Sequence, residues 1–216
     1  MSTRFLDASL SAFGYKRKKA GVYAFEVAGD CAHLLTVQLH GKADRYLTAD
    51  FGFFNNDAEG FALNELRKYG DPVFKSWKHD PALSVIRFSV GEVVGWGPGA
   101  ALWQRQLSDD DFARLFAETI KGRIVPLAKQ VASTDDLLRI LLSNDPPYKW
   151  VKSNGAIRAA EIIFLASRQG MSGTEVRSLL EGYLKEVEIG LGTRRELDAA
   201  KFIDAVIADA SPSALH

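Results

Sequence analysis

A change of hydrophobic period near the middle of the chain constrains its fold more than any other feature. Up to about residue 106, apolar side chains recur every second residue; from Ser108 onward they recur every third or fourth. A strand with one buried face needs the first period, and a helix with one buried stripe needs the second. Strands first and helices afterwards point to an α+β fold rather than to alternating βα units.

The first half divides into short strands at its turn residues. Tyr23, Phe25 and Val27 alternate with Val22, Ala24 and Glu26, and Gly29-Asp30 offers a turn. Leu35, Val37 and Leu39 then alternate with Thr36, Gln38 and His40; Leu47, Ala49, Phe51 and Phe53 alternate with Thr48 and Asp50. Three such runs joined by tight turns predict an antiparallel meander. Ile86, Phe88 and Val90 add a fourth strand, and Val93-Val94 a short fifth that Pro98 and its flanking glycines end. A leading helix carries Leu6, Leu10 and Phe13 and stops at Gly14. Another, opened by Asn55-Asn56-Asp57, carries Phe61, Leu66 and Tyr69.

The second half is helical. Ser108 or Asp109 caps a helix with Phe112, Leu115, Phe116 and Ile120 on one face, and Pro126 either starts a new helix or kinks this one. Ser133 caps a helix with Leu137, Leu138, Leu141 and Leu142. Ser172-x-x-Glu175 and Thr193-x-x-Glu196 are capping boxes, the first opening the stripe Val176 to Val187. The expected organisation is a four- to five-stranded antiparallel sheet with helices on one face (1–106), helices packing on it (107–143), a linker (144–155) and a C-terminal helical bundle (156–210). The stripe packs either within the chain or against a second copy, so a homo-oligomer stays open.

Lys+Arg and Asp+Glu are both 27. With no basic excess to neutralise phosphates, a nucleic-acid partner is not expected. The one cysteine, Cys31, excludes an intrachain disulfide. That usage fits a reducing compartment. The longest apolar run, Ala159 to Ala166, is broken by Glu161 and falls far short of the ~18 residues a membrane span needs. A cytoplasmic protein with no membrane partner is the expectation.

No motif carries chemistry. His33, His40, His79 and His216 are scattered without ligand spacing and read as surface or sheet-edge histidines, so neither a metal nor another cofactor is expected. There is no nucleophile elbow, and Gly95-Trp96-Gly97-Pro98-Gly99 lacks the Gly-Lys-Ser/Thr ending of a phosphate loop. Lys16-Arg17-Lys18-Lys19 reads as a solvated turn or as basic residues guarding a sheet edge. No catalytic residue is assigned. The candidates for binding a partner or ligand are the polar sides of the strands, Gln38, His40, Thr48, Asp50 and Arg87, with Trp77, Trp96 and Trp103 in or near loops. An enzyme, or a small-ligand or nucleic-acid binder, using the same polar face is the alternative; catalysis there requires His40, Asp50 and Arg87 to converge.

The order of Phe13-Gly14-Tyr15-Lys16-Arg17-Lys18, Val22-Tyr23-Ala24-Phe25, Leu35-Thr36-Val37-Gln38-Leu39 and Tyr46-Leu47-Thr48-Ala49-Asp50-Phe51-Gly52 resembles the bacterial domain of unknown function 4304 over roughly residues 5–142. Asp50 stands where that family usually has asparagine, and its Trp-Trp segment is not evident here. Members occur in the company of toxin and immunity genes. The resemblance therefore implies a non-catalytic, immunity-type protein that binds and neutralises a bacterial toxin.

Overall fold

A computed structural model of the chain describes residues 3–26, 31–69, 86–96, 101–142, 155–184 and 199–210. The expectations placed on Trp77, on the 144–155 linker except for Gly155, which is helical, and on the Thr193 capping box lie outside them.

Among the described residues the sheet has six strands: β1 (Tyr15–Lys19), β2 (Val22–Glu26), β3 (Ala32–His40), β4 (Tyr46–Phe54), β5 (Ile86–Ser89) and β6 (Leu102–Trp103). Every pairing is antiparallel, in the order β1-β2-β3-β4-β5, and β6 shares with β5 the far edge of β4. β3 and β4 pair over their full length, from Ala32 opposite Phe54 to His40 opposite Tyr46.

Of the two readings of Lys16 to Lys19 the sheet edge holds and the turn does not: the run forms β1, the edge of the sheet, with Lys16, Lys18 and Lys19 exposed. Unpaired strand edges invite further strands, and lysines blunt that tendency. Conversely, Val93-Val94 is not a strand. Val90–Val94 forms the short helix α3, ended by Gly95 at φ 71°, whose N–H bonds the Gly91 carbonyl. The glycine permits the left-handed stop that a β-branched residue would resist.

Alternation gives the sheet two unlike faces. On one lie Tyr15, Tyr23, His33, Leu35, Val37, Leu47, Ala49, Phe51 and Phe53, all buried in a single core with α1 (Asp7–Ser11), α2 (Asn56–Tyr69) and the later helices. On the other, Val22, Ala24, Leu34 and Phe54 form a small separate apolar cluster, and polar residues take over beyond it.

α4 (Asp109–Thr119) begins as expected: Ser108 Oγ accepts from Asp111 N–H at 3.1 Å. It runs through a π-helical turn, Ile120–Ile124, into α5 (Val125–Ala128). Pro126 neither breaks the helix nor starts a new one. Its missing N–H and bulky ring clash with a regular turn, and the wider turn just before it accommodates both.

α6 (Thr134–Leu142), α7 (Gly155–Arg168), α8 (Gly173–Leu184) and α9 (Ala199–Ala210) complete the fold. α7 is the central rod, packed against α2, α6, α8 and α9, and residues 158–167 are buried without interruption. A helix apolar all round can only sit inside. The capping box at Ser172 is present, with Glu175 accepting from Ser172 N–H at 2.7 Å. Val176 and Leu180 of its stripe are buried in this chain's own core.

Candidate functional site

The register assembles the polar residues of the second sheet face into rows. Thr36 stands opposite Asp50, and Asp50 opposite Ser89. Gln38 stands opposite Thr48, and His40 opposite Tyr46, which in turn faces Trp103. Five of the residues singled out from sequence, Gln38, His40, Thr48, Asp50 and Trp103, therefore share one surface.

The last row is an aromatic ladder. The His40 ring stacks on Tyr46 with centroids 4.8 Å apart, and Tyr46 on Trp103 with centroids 4.7 Å apart. His40 Nε2 and Thr48 Oγ1 share a hydrogen bond of 2.9 Å, which fixes the imidazole at the end of the stack. Trp103 is 40% exposed, one of two large apolar residues so exposed among the described residues. Gln38 is exposed, and Thr36, Thr48 and Asp50 are half-buried.

The ladder is anchored from behind. Arg45, beside Tyr46, donates to Asp109 at the start of α4 over 2.6 Å, and Gln104, beside Trp103, donates to the same carboxylate over 2.9 Å. These two donors, Gln104 first, outweigh desolvation and hold the Asp109 carboxyl below the usual range. Arg45 also stacks over Phe5, its guanidinium carbon 5.3 Å from the ring centroid. Arg45, which a basic stripe for nucleic acid would need, is thus already bonded to Asp109.

Other expected members fall elsewhere. Trp96, half-buried, packs on the core beside Phe116, centroids 6.0 Å apart. Arg87 has its backbone opposite Gly52, diagonal to Asp50. Asp50 lies four residues from Tyr46 along β4, about 13 Å at ~3.3 Å per residue, and Gly52 lies six, about 20 Å. His40 therefore stands about 13 Å along the strands from Asp50, too far for a proton to pass directly between them, and the three positions do not converge. Among the described residues no group of three His, Cys, Asp or Glu could hold a metal ion, and no helix is long and apolar enough to cross a membrane.

No family model, curated protein or solved structure matches this chain.

Sequence reasoning missed the polar groups inside the core. His33 is no surface histidine: it is 1% exposed, with its ring centroid 5.0 Å from that of Phe53, 5.7 Å from Phe51 and 6.1 Å from Phe25. Its Nε2 lies 3.3 Å from the Val131 carbonyl, which can only accept, so that nitrogen carries the proton. Burial lowers its pKa to about 4, against a partial lift from that bond. Strand parity already put His33 among inward-pointing phenylalanines.

Glu161 is also 1% exposed, its Oε2 without a hydrogen-bond partner. Burial raises its pKa well above the usual carboxyl range, and the charge of Arg158 offsets only part of that. Arg158, three residues earlier, donates to the Leu141 carbonyl at the end of α6. The signal available was a lone glutamate inside the longest apolar run. Glu59 and Glu65 of α2 are buried as well, and nothing in their spacing marked them.

Proposed function

We propose that this chain is a non-catalytic binding protein that engages a protein partner through the outer sheet face, in the manner of an immunity-type inhibitor of a bacterial toxin. The observation that carries the binding role is the ladder of Trp103, Tyr46 and His40. Aromatic side chains already stacked and pinned lose little conformational freedom on association, and half-exposed tryptophan and tyrosine are the residue types that anchor interfaces. Gln38, Thr36, Thr48 and Asp50 supply a polar surround that can exchange water for partner hydrogen bonds.

Size sets a condition on this reading. The panel spans about 13 Å along the strands and about 14 Å across them, or about 200 Å². A stable interface takes about 800 Å² from each partner. The contact must therefore extend beyond the sheet, over the 41–45 turn and the 104–108 loop that flank the ladder. The toxin-inhibiting role rests on the family resemblance, and the separation of His40, Asp50 and Arg87 favours it over catalysis on this face.

Affinity capture of the tagged protein from its native host under toxin-expressing conditions tests the reading. One stoichiometric partner with effector chemistry, whose activity the chain suppresses, supports it. A solitary chain under those conditions overturns it.

A further inference from the structure

Helix α9 meets the end of α2 at a polar cluster. Asp209 accepts through Oδ2 from Lys68 Nζ at 3.0 Å and from Tyr69 Oη at 2.9 Å, both at the end of α2. Lys68 Nζ also donates to Glu65 Oε1 at 2.7 Å. One ammonium thus serves two carboxylates from two helices. Glu65 is 2% exposed, and its Oε2 has no hydrogen-bond partner. Tyr69 contributes a donor but no charge.

With both carboxylates ionised, the cluster holds one excess negative charge; Glu65 bears its share out of water, whereas Lys68 and Asp209 stand partly in it. Like charges bridged by one nitrogen disfavour double ionisation. The carboxylate that keeps its proton is the buried one with the single donor. Burial raises the Glu65 pKa and neighbouring Asp209 adds to the rise, against the opposing pull of Lys68. Desolvation pushes Asp209 up too, but its bonds with Lys68, Glu65 and Tyr69 more than offset this and leave it lowered.

We propose that the Glu65–Lys68–Asp209 contact is a proton-operated latch for α9, closed while Glu65 is protonated and loosened when Glu65 ionises against Asp209. The signs follow from linkage. A raised Glu65 contributes stability that is whole below its unfolded value of 4.5 and is lost as pH rises through its folded value. A lowered Asp209 contributes stability present above 3.8 and lost as pH falls. The latch is therefore tightest in mild acid.

Other charged groups on the elements around it have different engagements. On α7, Arg158 bonds the Leu141 carbonyl, Arg168 lies over the Phe164 ring, and Glu161 is acted on by Arg158. On α8, Glu175 serves the Ser172 cap and Arg177 pairs with Asp204 of α9. The charged groups that act on Glu65 are Lys68 and Asp209. Opening the latch leaves α9 held by Phe202, Ile203, Val206 and Ala210 and by the Arg177–Asp204 pair. Full release uncovers the surfaces of α2 and α7 against which α9 packs.

Amide hydrogen exchange of the full chain between pH 4 and 9, corrected for intrinsic rates, tests this. Between the unfolded value of 4.5 and the raised folded value of Glu65 the opening equilibrium of α9 should rise with pH, by at most about tenfold per unit for one proton, and level off above it, while α4 does not follow. Glu65→Gln should flatten the α9 profile. Asp209→Asn removes the opposing charge and should flatten it independently, which covers a Glu65 variant that fails to fold. A pH-independent α9 in the unmodified chain, a slope that survives either substitution, or an α4 that opens in parallel overturns the proposal.

Discussion

Acidification should destabilise this protein through a single imidazole before most of its carboxylates titrate. His33 sits among Phe25, Phe51 and Phe53 with one hydrogen bond, to the Val131 carbonyl. Its pKa falls from 6.5 to about 4 because burial penalises the charged ring. Between those values the unfolded chain binds a proton that the folded chain refuses, so stability drops as pH falls. At about 1.4 kcal/mol per unit the full loss is about 3 kcal/mol, of which about 2 kcal/mol is gone by pH 5. Against typical total stabilities of about 5–15 kcal/mol that is a large fraction. Urea unfolding at pH 7.5, 6, 5 and 4 measures it, with His33→Leu as the comparison. Leucine binds no proton and forfeits about 1 kcal/mol for the lost bond. The variant should start slightly less stable at pH 7.5 and end more stable at pH 4. Carboxylates held low by hydrogen bonds, Asp109, Asp136 and Glu175 among them, titrate alike in both proteins and cancel from the difference. Parallel stability curves for the two proteins would refute the reasoning.

Two further expectations concern the fold. Glu161 has the opposite sign: its raised pKa gives stability that is whole below 4.5 and lost as pH rises, so Glu161→Gln should gain on the unmodified chain from pH 5 to pH 9; equal pH slopes in urea titrations would contradict this. Gly21 closes the β1–β2 turn at φ 70°, where an added Cβ would lie 2.4 Å from the Val37 carbonyl oxygen. Gly21→Ala should therefore cost about 2 kcal/mol or more in thermal or chemical denaturation, from left-handed strain and the clash together, and a neutral substitution would show that the turn relaxes freely.

The legible parts of this fold are those where one physical signal acts alone. Alternation placed Leu35, Val37 and Leu39 inward and Gln38 and His40 outward, as their register with Leu47 and Thr48 shows. Capping chemistry located the start of α4 at Ser108 and that of α8 at Ser172. Signals failed where two competed. Lys16 to Lys19 has the charge of a turn, and its pairing with β2 prevails because Tyr15 and the neighbouring strand bury a face there. Val90 to Val94 has β-branched residues, yet glycines at both 91 and 95 and the left-handed stop favour a helical turn. The ladder was half legible. Single strands reveal that His40 and Tyr46 point outward, but only long-range pairing brings Trp103 of β6 beside them. The charged groups of α2 were the least legible, because Glu59 and Glu65 look on paper like any solvated helix face, and tertiary packing against α7 and α9 buries them.

The proposed binding role stands or falls with the outer sheet face. Its most direct test is quantitative capture from native-host extract with the unmodified chain, Trp103→Ala and Leu115→Ala side by side. Trp103 and Leu115 are the two large apolar side chains most exposed among the described residues, at 40% and 42%, and only the tryptophan belongs to the ladder. The expected result is a stoichiometric partner retained by Leu115→Ala and lost from Trp103→Ala, with both variants folded. A partner retained equally by both variants, or lost only from Leu115→Ala, would contradict the assignment of this face.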